Sequence, residues 1–180
     1  MSRGGSLAKR LQREIEDQRV LLQAEEGTLQ TESAAVHPEA VLDVVAGIID
    51  GHPDARGRKV EIIRGGTGST IVTDESLLVR ILVNMVKNAL EATPEGGVVR
   101  AWVEHGSAGC EFRVWNAGTI AQDVAIQIFK RSFSTKSGRG RGLGTFSMKL
   151  FGERYLGGVV GFTSTKDEGT KFFIRLPTGY

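Results

Sequence analysis

One cysteine in 180 residues, Cys110, excludes a disulfide framework, and three scattered histidines, His37, His52 and His105, lack the spacing of a zinc site. No apolar run approaches the roughly 18 residues of a membrane span. No export signal is expected either, because Lys9, Arg10, Arg13 and Glu14 follow the first residues where a signal core would stand. These absences predict a soluble chain without membrane contact in a reducing, cytoplasmic compartment, whether its parent protein is soluble or membrane-anchored. Twenty-three Lys and Arg against 21 Asp and Glu leave a net charge of +2, too weak for an extended nucleic-acid face. What is present is ordinary for a globular protein: 40% hydrophobic and 24% charged residues, enough for one core with an appendage.

Leu7 to Glu26 has no proline or glycine and places Leu7, Leu11, Ile15, Gln18 and Leu22 three or four residues apart, which predicts one amphipathic helix stopped by Gly27. Thr28 to His37 reads as a linker. The appendage is therefore placed at 1–30 and the main domain at 31–180. Pro38 opens a second helix with Val41, Leu42, Val44, Val45, Ile48 and Ile49 as its apolar face, closed by Gly51 and Pro53. Short strands are predicted at Lys59 to Arg64 and Ser69 to Thr73, separated by Gly65-Gly66. Asp74 is a good N-cap for a long helix to about Ala92, where Leu77, Leu78, Ile81, Leu82, Met85, Val86, Ala89 and Leu90 repeat in pairs. A hairpin follows at Val98 to Glu104 and Cys110 to Trp115, then a helix at Thr145 to Leu156. The strands Val159 to Thr165 and Lys171 to Leu176 close the chain around Asp167-Glu168-Gly169. The fold class is α+β: a two-layer sandwich whose mixed, mostly antiparallel sheet is covered on one face by helices and preceded by the N-terminal helix.

Three groups of residues carry chemistry. Asn84 and Asn88 lie four apart on the long helix, beside Arg80, Lys87 and Glu91 and opposite the apolar stripe. They form either a solvated polar face or a pair of neutral oxygen ligands for Mg²⁺ on nucleotide phosphates. Gly138-Arg139-Gly140-Arg141-Gly142-Leu143-Gly144-Thr145 frees backbone N–H groups at the start of a helix, where an anion is favoured, with Lys130, Arg131 and Lys136 nearby. It is neither a P-loop nor a dinucleotide fingerprint, since no Gly-Lys-Ser/Thr follows and no strand precedes it. Asn116-Ala117-Gly118 ends a strand as a turn, or as an amide presented to the amino edge of adenine.

In this order the pieces resemble the GHKL superfamily, and within it the catalytic domains of two-component sensor histidine kinases. Asn84-Met85-Val86-Lys87-Asn88-Ala89 is similar to the N box, Asn116-Ala117-Gly118 to the G1 box, and Ile128-Phe129-Lys130-Arg131-Ser132-Phe133-Ser134-Thr135-Lys136 to the F box. Gly140-Arg141-Gly142-Leu143-Gly144 is similar to the G2 box, and Gly169-Thr170 to the final Gly-Thr motif. The resemblance implies a Bergerat-type ATP-binding fold and a site for ATP and Mg²⁺. It implies that Asn88 ligates the metal with Asn84 and Lys87 beside it, that Asn116 and Gly118 meet adenine, and that Thr170 lies beneath the base. Lys136 and the lid residues Gly140, Arg141, Gly142, Leu143, Gly144 and Thr145 are implied to hold the phosphates, with Asn84 and Lys136 as the catalytic pair.

Two positions depart from the family pattern: Asn116 stands where an Asp is usual, and Ile120 where a second glycine is usual. Hydrolytic relatives place a glutamate general base where this chain has Asn84, so hydrolysis is expected to be slow. The implied activity is transfer of a γ-phosphoryl group to a histidine on a separate domain, with a response regulator downstream. None of the three histidines stands in acceptor context, so the acceptor is expected outside this chain. The N-terminal helix resembles the end of a dimerisation and phosphotransfer hairpin, which implies a homodimer in the intact kinase. The competing readings are a serine kinase, an ATP-hydrolysing relative, and a nucleotide-binding regulatory module.

Overall fold

The computed structural model describes residues 3–66, 68–131 and 143–178, which form two compact units, Met1–Thr31 and Glu32–Tyr180. The first is helix α1, Arg3–Glu26, ended by Gly27 in the left-handed region at φ 75°. Its stripe of Leu11, Ile15 and Leu22 is exposed, at 49%, 69% and 55%. No helix among the described residues is long and apolar enough to cross a membrane.

The second unit runs β1 (Ala34–Val36), α2 (Pro38–Ile49), a 3-10 turn (Pro53–Ala55), β2 (Lys59–Ile63), β3 (Ile71–Thr73) and α3 (Glu75–Glu91). It continues with β4 (Val98–Gly106), β5 (Gly109–Asn116), α4 (Gln122–Ala125), α5 (Gly144–Lys149), a π-helical turn (Leu150–Tyr155), β6 (Val159–Thr165) and β7 (Gly169–Pro177). Five strands form one sheet in the order β2-β4-β5-β7-β6, antiparallel except for the parallel pair β2 and β4. This is the mixed, helix-covered α+β sheet that the residue pattern predicts.

Four local readings change. The linker contains β1, which pairs with β3 in a separate two-stranded sheet; three residues are too few to show a period of their own. The strands on either side of Gly65-Gly66 therefore belong to different sheets. The hairpin between β4 and β5 turns on Ser107 and Ala108 alone, tighter than the five-residue loop expected. The last helix changes from α to π after Lys149, where Gly152 lies against the sheet: a Cβ there would stand 2.3 Å from Val160. The short α4 has too few residues to be visible as a pattern.

α3 forms the centre of the helical layer. Its paired positions Leu77, Leu78, Ile81, Leu82, Met85, Val86, Ala89 and Leu90 are all buried. The sheet packs against α3 chiefly through β4 and β5, and its buried Val99, Ala101, Phe112, Val114 and Ile174 alternate inward along their strands. Asp74 caps the helix by accepting from Leu77 N at 3.1 Å, and also accepts from Glu32 N at 2.8 Å and Ser76 Oγ at 2.8 Å. α2 buries Val41, Leu42, Val45 and Ile49, but Val44 and Ile48 face outward, so its apolar face is narrower than its composition implies. Cys110 is buried, and its burial together with the charge of Glu39 pushes the thiol up to about 12. It packs as a small hydrophobe.

Candidate functional site

The core ends abruptly along one edge of the sheet. On the helix-covered face, successive rows across β5, β7 and β6 read Phe112–Ile174–Val160, then Val114–Phe172–Phe162, then Asn116–Thr170–Ser164. Two apolar rows give way to a row made only of polar side chains. Asn116 and Thr170 are 3% and 2% exposed, so each must be satisfied internally or by a guest.

Thr170 donates from Oγ1 to the Gly118 carbonyl at 2.8 Å, and its oxygen lies 2.8 Å from Ser164 Oγ, which accepts from Ile120 N at 2.8 Å. A hydroxyl has one proton. With that of Thr170 directed at Gly118, the proton between the two hydroxyls comes from Ser164. Gly118 is required by close approach: a Cβ there would stand 2.9 Å from Asn116 Nδ2 and 3.3 Å from the Ala92 carbonyl, at the end of α3. Gly169, at φ 75°, leaves even less room: a Cβ there would stand 2.4 Å from the Asn116 carbonyl. Beside the polar row, Phe129, Phe162 and Phe172 form an aromatic pad with ring centroids 5.3–6.3 Å apart, and Lys149 Nζ lies 5.1 Å from the Phe129 centroid.

The facing wall comes from α3. Asn84, Lys87 and Asn88 are half-buried on one side of the helix, between its buried stripe and solvent. Asn84 Nδ2 donates to Ser147 Oγ on α5 at 3.4 Å, and Ser147 in turn donates to the Gly144 carbonyl at 2.8 Å. With its nitrogen directed at α5, the carboxamide oxygen is the atom Asn84 presents elsewhere. Thr145 Oγ1 donates to the Ile128 carbonyl, which ties the start of α5 to the segment that carries Phe129. Leu143, Gly144 and Thr145 open this helix, and among the described residues outside the helix no atom would lie within 4 Å of a Cβ placed on Gly144.

The structure thus brings α3, the Asn116–Ile120 segment, the β6–β7 edge and the start of α5 around one end of the sheet. Lys136, Gly140, Arg141 and Gly142 lie outside the described residues. Ser164 and Ser147 went unnoticed in the sequence, where both look like ordinary serines of a strand and a helix. A groove of about 550 Å³ between α2 and β2, lined by Ala46, Ile49, His52, Arg56, Val60 and Ile62, contains none of these residues.

The family model for histidine kinase-, DNA gyrase B- and HSP90-like ATPases matches residues 73–180, from the cap of α3 to the end of the chain. This chain belongs to that family. Among its relatives is the sensor histidine kinase ZraS of Escherichia coli, 30% identical over 127 residues, which cover 69% of this chain and 27% of ZraS. The chain therefore spans about a quarter of that relative's length. Among solved structures, the catalytic domain of histidine kinase ThkA aligns with a TM-score of 0.74 at 23% identity, over 83% of this chain and 97% of that one. Full-length ShkA in complex with AMPPNP aligns with a TM-score of 0.79 at 25% identity, over 93% of this chain and 36% of that one. The fold is that of the ATP-binding catalytic domain of a histidine kinase, and the polar row, the aromatic pad and the α3 asparagines stand at one end of it.

Proposed function

We propose that this chain is the catalytic domain of a two-component protein-histidine kinase: it binds Mg-ATP and passes the γ-phosphoryl group to a histidine on a separate domain, with a response regulator downstream. The observation that carries the proposal is Asn84. It occupies the position where hydrolytic relatives carry a glutamate base, and its amide is directed toward Ser147 on α5. A carboxamide cannot take a proton from water, so the site favours a nucleophile that needs no base at that position.

In this reading the base lies over the Asn116–Thr170–Ser164 row against the aromatic pad, and the triphosphate runs toward α3 and the start of α5. Mg²⁺ fits the residues present. No three His, Cys, Asp or Glu side chains cluster among the described residues, and the donor pair that α3 offers is two carboxamides, Asn84 and Asn88. Asn88, with Asn84 beside it, would hold it through neutral oxygens, the nucleotide phosphates supplying the charge, as suits a small, hard cation. When bound, the ion offsets the negative charge that shifts between oxygens during transfer. The chain's own residues orient the base, hold the α3 face against α5, and add cationic groups through Lys87, Lys136 and Arg141.

The exposed Leu11, Ile15 and Leu22 of α1 support the reading of this helix as one arm of a dimerisation hairpin, since an apolar stripe at that spacing fits a second helix.

Calorimetry with ATP, with and without Mg²⁺, tests the site, and phosphate release tests the absence of a base. We expect metal-dependent binding of ATP and negligible phosphate release. Asn84→Glu should raise release above wild type. Rapid release by the wild-type protein without an acceptor would instead make it a hydrolytic ATPase.

A further inference from the structure

Asn116 raises a question of selectivity. An aspartate at this position can only accept, which selects the amino group of adenine, whereas a carboxamide carries both a donor and an acceptor. Turned one way it matches adenine; turned the other way it matches a 6-oxopurine, which accepts at O6 and donates at N1. Something other than its own chemistry must hold it in one orientation. Gly118 leaves little spare room beside the carboxamide, since a Cβ there would stand 2.9 Å from Asn116 Nδ2, so a shift of the loop toward the amide would press on it. The loop itself is fastened at two points, the Gly118 carbonyl by Thr170 and the Ile120 amide by Ser164.

We propose that Ser164 is a positioning residue for base selectivity: through Thr170 and the Ile120 amide it fixes the loop that orients Asn116, and so sets the preference for adenine over a 6-oxopurine. The proposal rests on the nucleotide-site reading above and goes beyond it. Ser164 is suited to the role because one hydroxyl performs both tasks, accepting from Ile120 N–H and donating to Thr170 Oγ1 at 2.8 Å each. Alanine at 164 would leave Thr170 with its bond to Gly118 but strand the Ile120 N–H, so that one of the two fasteners is lost. The contact uses a backbone N–H, so it survives the presence of isoleucine where the family pattern has glycine.

The experiment measures the affinity of ATP and of inosine triphosphate in Mg²⁺ for wild type, Ser164→Ala and Ser164→Thr, with hydrogen exchange at the Ile120 amide in the nucleotide-free proteins. The two nucleotides share their triphosphate, so their affinity ratio isolates the base. In Ser164→Ala the preference for ATP should fall about three- to tenfold, the range of one lost hydrogen bond. The Ile120 amide should exchange faster, and Ser164→Thr should restore both readouts. A wild type that prefers ATP and an alanine variant with the same preference would overturn the role of Ser164 alone. An Ile120 amide that exchanges equally in the two would overturn it as well. A wild type that binds neither nucleotide would overturn the nucleotide-site reading itself, and the selectivity role with it.

Discussion

Asn88→Ala is expected to weaken ATP binding in Mg²⁺ by about 10- to 100-fold, the scale on which changes at a metal site act, while binding without metal changes little. The two asparagines differ in what they leave open. Asn84 directs its amide nitrogen at Ser147, so the junction of α3 with α5 fixes its orientation. Asn88, one turn further along, lies half-buried on the same side of the helix. Methyl in place of carboxamide removes the hard protein oxygen that anchors Mg²⁺ to α3; water can fill the coordination position but does not tie the ion and its nucleotide to the helix. The substitution should not unfold the helix, since alanine is the better helix former. Thermal unfolding in the absence of nucleotide should therefore match wild type. Titration with and without Mg²⁺ checks the expectation, and unchanged metal dependence would remove Asn88 from the site.

The second large effect concerns stability and comes from Asp74. Its carboxylate serves three donors: Leu77 N in the first turn of α3, Ser76 Oγ, and Glu32 N at the start of the second unit. Loss of a cap costs about 0.5–2 kcal/mol, and a part-buried N–H left without its acceptor costs about 1–3 kcal/mol more. Asp74→Ala should therefore destabilise by about 3 kcal/mol, or roughly 6–12 °C in Tm for a chain of this size. The effect should also depend on pH. Burial works against the ionised carboxyl, but the donors from Glu32, Leu77 and Ser76 outweigh it and hold Asp74 below the ordinary carboxylate range. Its contribution is thus fully present above the unfolded-state value, and it disappears as pH falls through the lower folded value. Asp74→Asn keeps an acceptor and loses the charge, so its acid limb should be flatter than that of wild type. Equal acid limbs in urea melts from neutral pH to about pH 3 would contradict the assignment.

The long amphipathic α3 was legible because its apolar pairs repeat over four turns and a capping aspartate marks its start. The order of the short motifs was legible for a different reason: asparagine and glycine occur there in combinations that secondary structure alone does not require. The parallel pairing of β2 with β4 was not legible, because the α3 crossover separates the strands and no local pattern states which neighbour a strand will take. Ser164 was hidden likewise. Its place in the row with Thr170 and Asn116 depends on the register of three strands, and one residue of slip would turn it to the other face. β1 carries too few residues to signal itself and is defined by β3. Local rules thus revealed the longer helices and strands, and tertiary register decided which polar groups meet.

Phosphoryl transfer tests the central claim most directly. The chain is incubated with γ-labelled ATP and Mg²⁺, first alone and then with a phosphotransfer domain that carries its acceptor histidine. The account predicts no label on the chain alone and label on the acceptor domain, in a phosphoramidate bond that survives alkali and is lost in acid. Transfer should disappear in Asn88→Ala and in an acceptor without its histidine. Acid-stable label on the chain itself would contradict the account and identify a serine kinase.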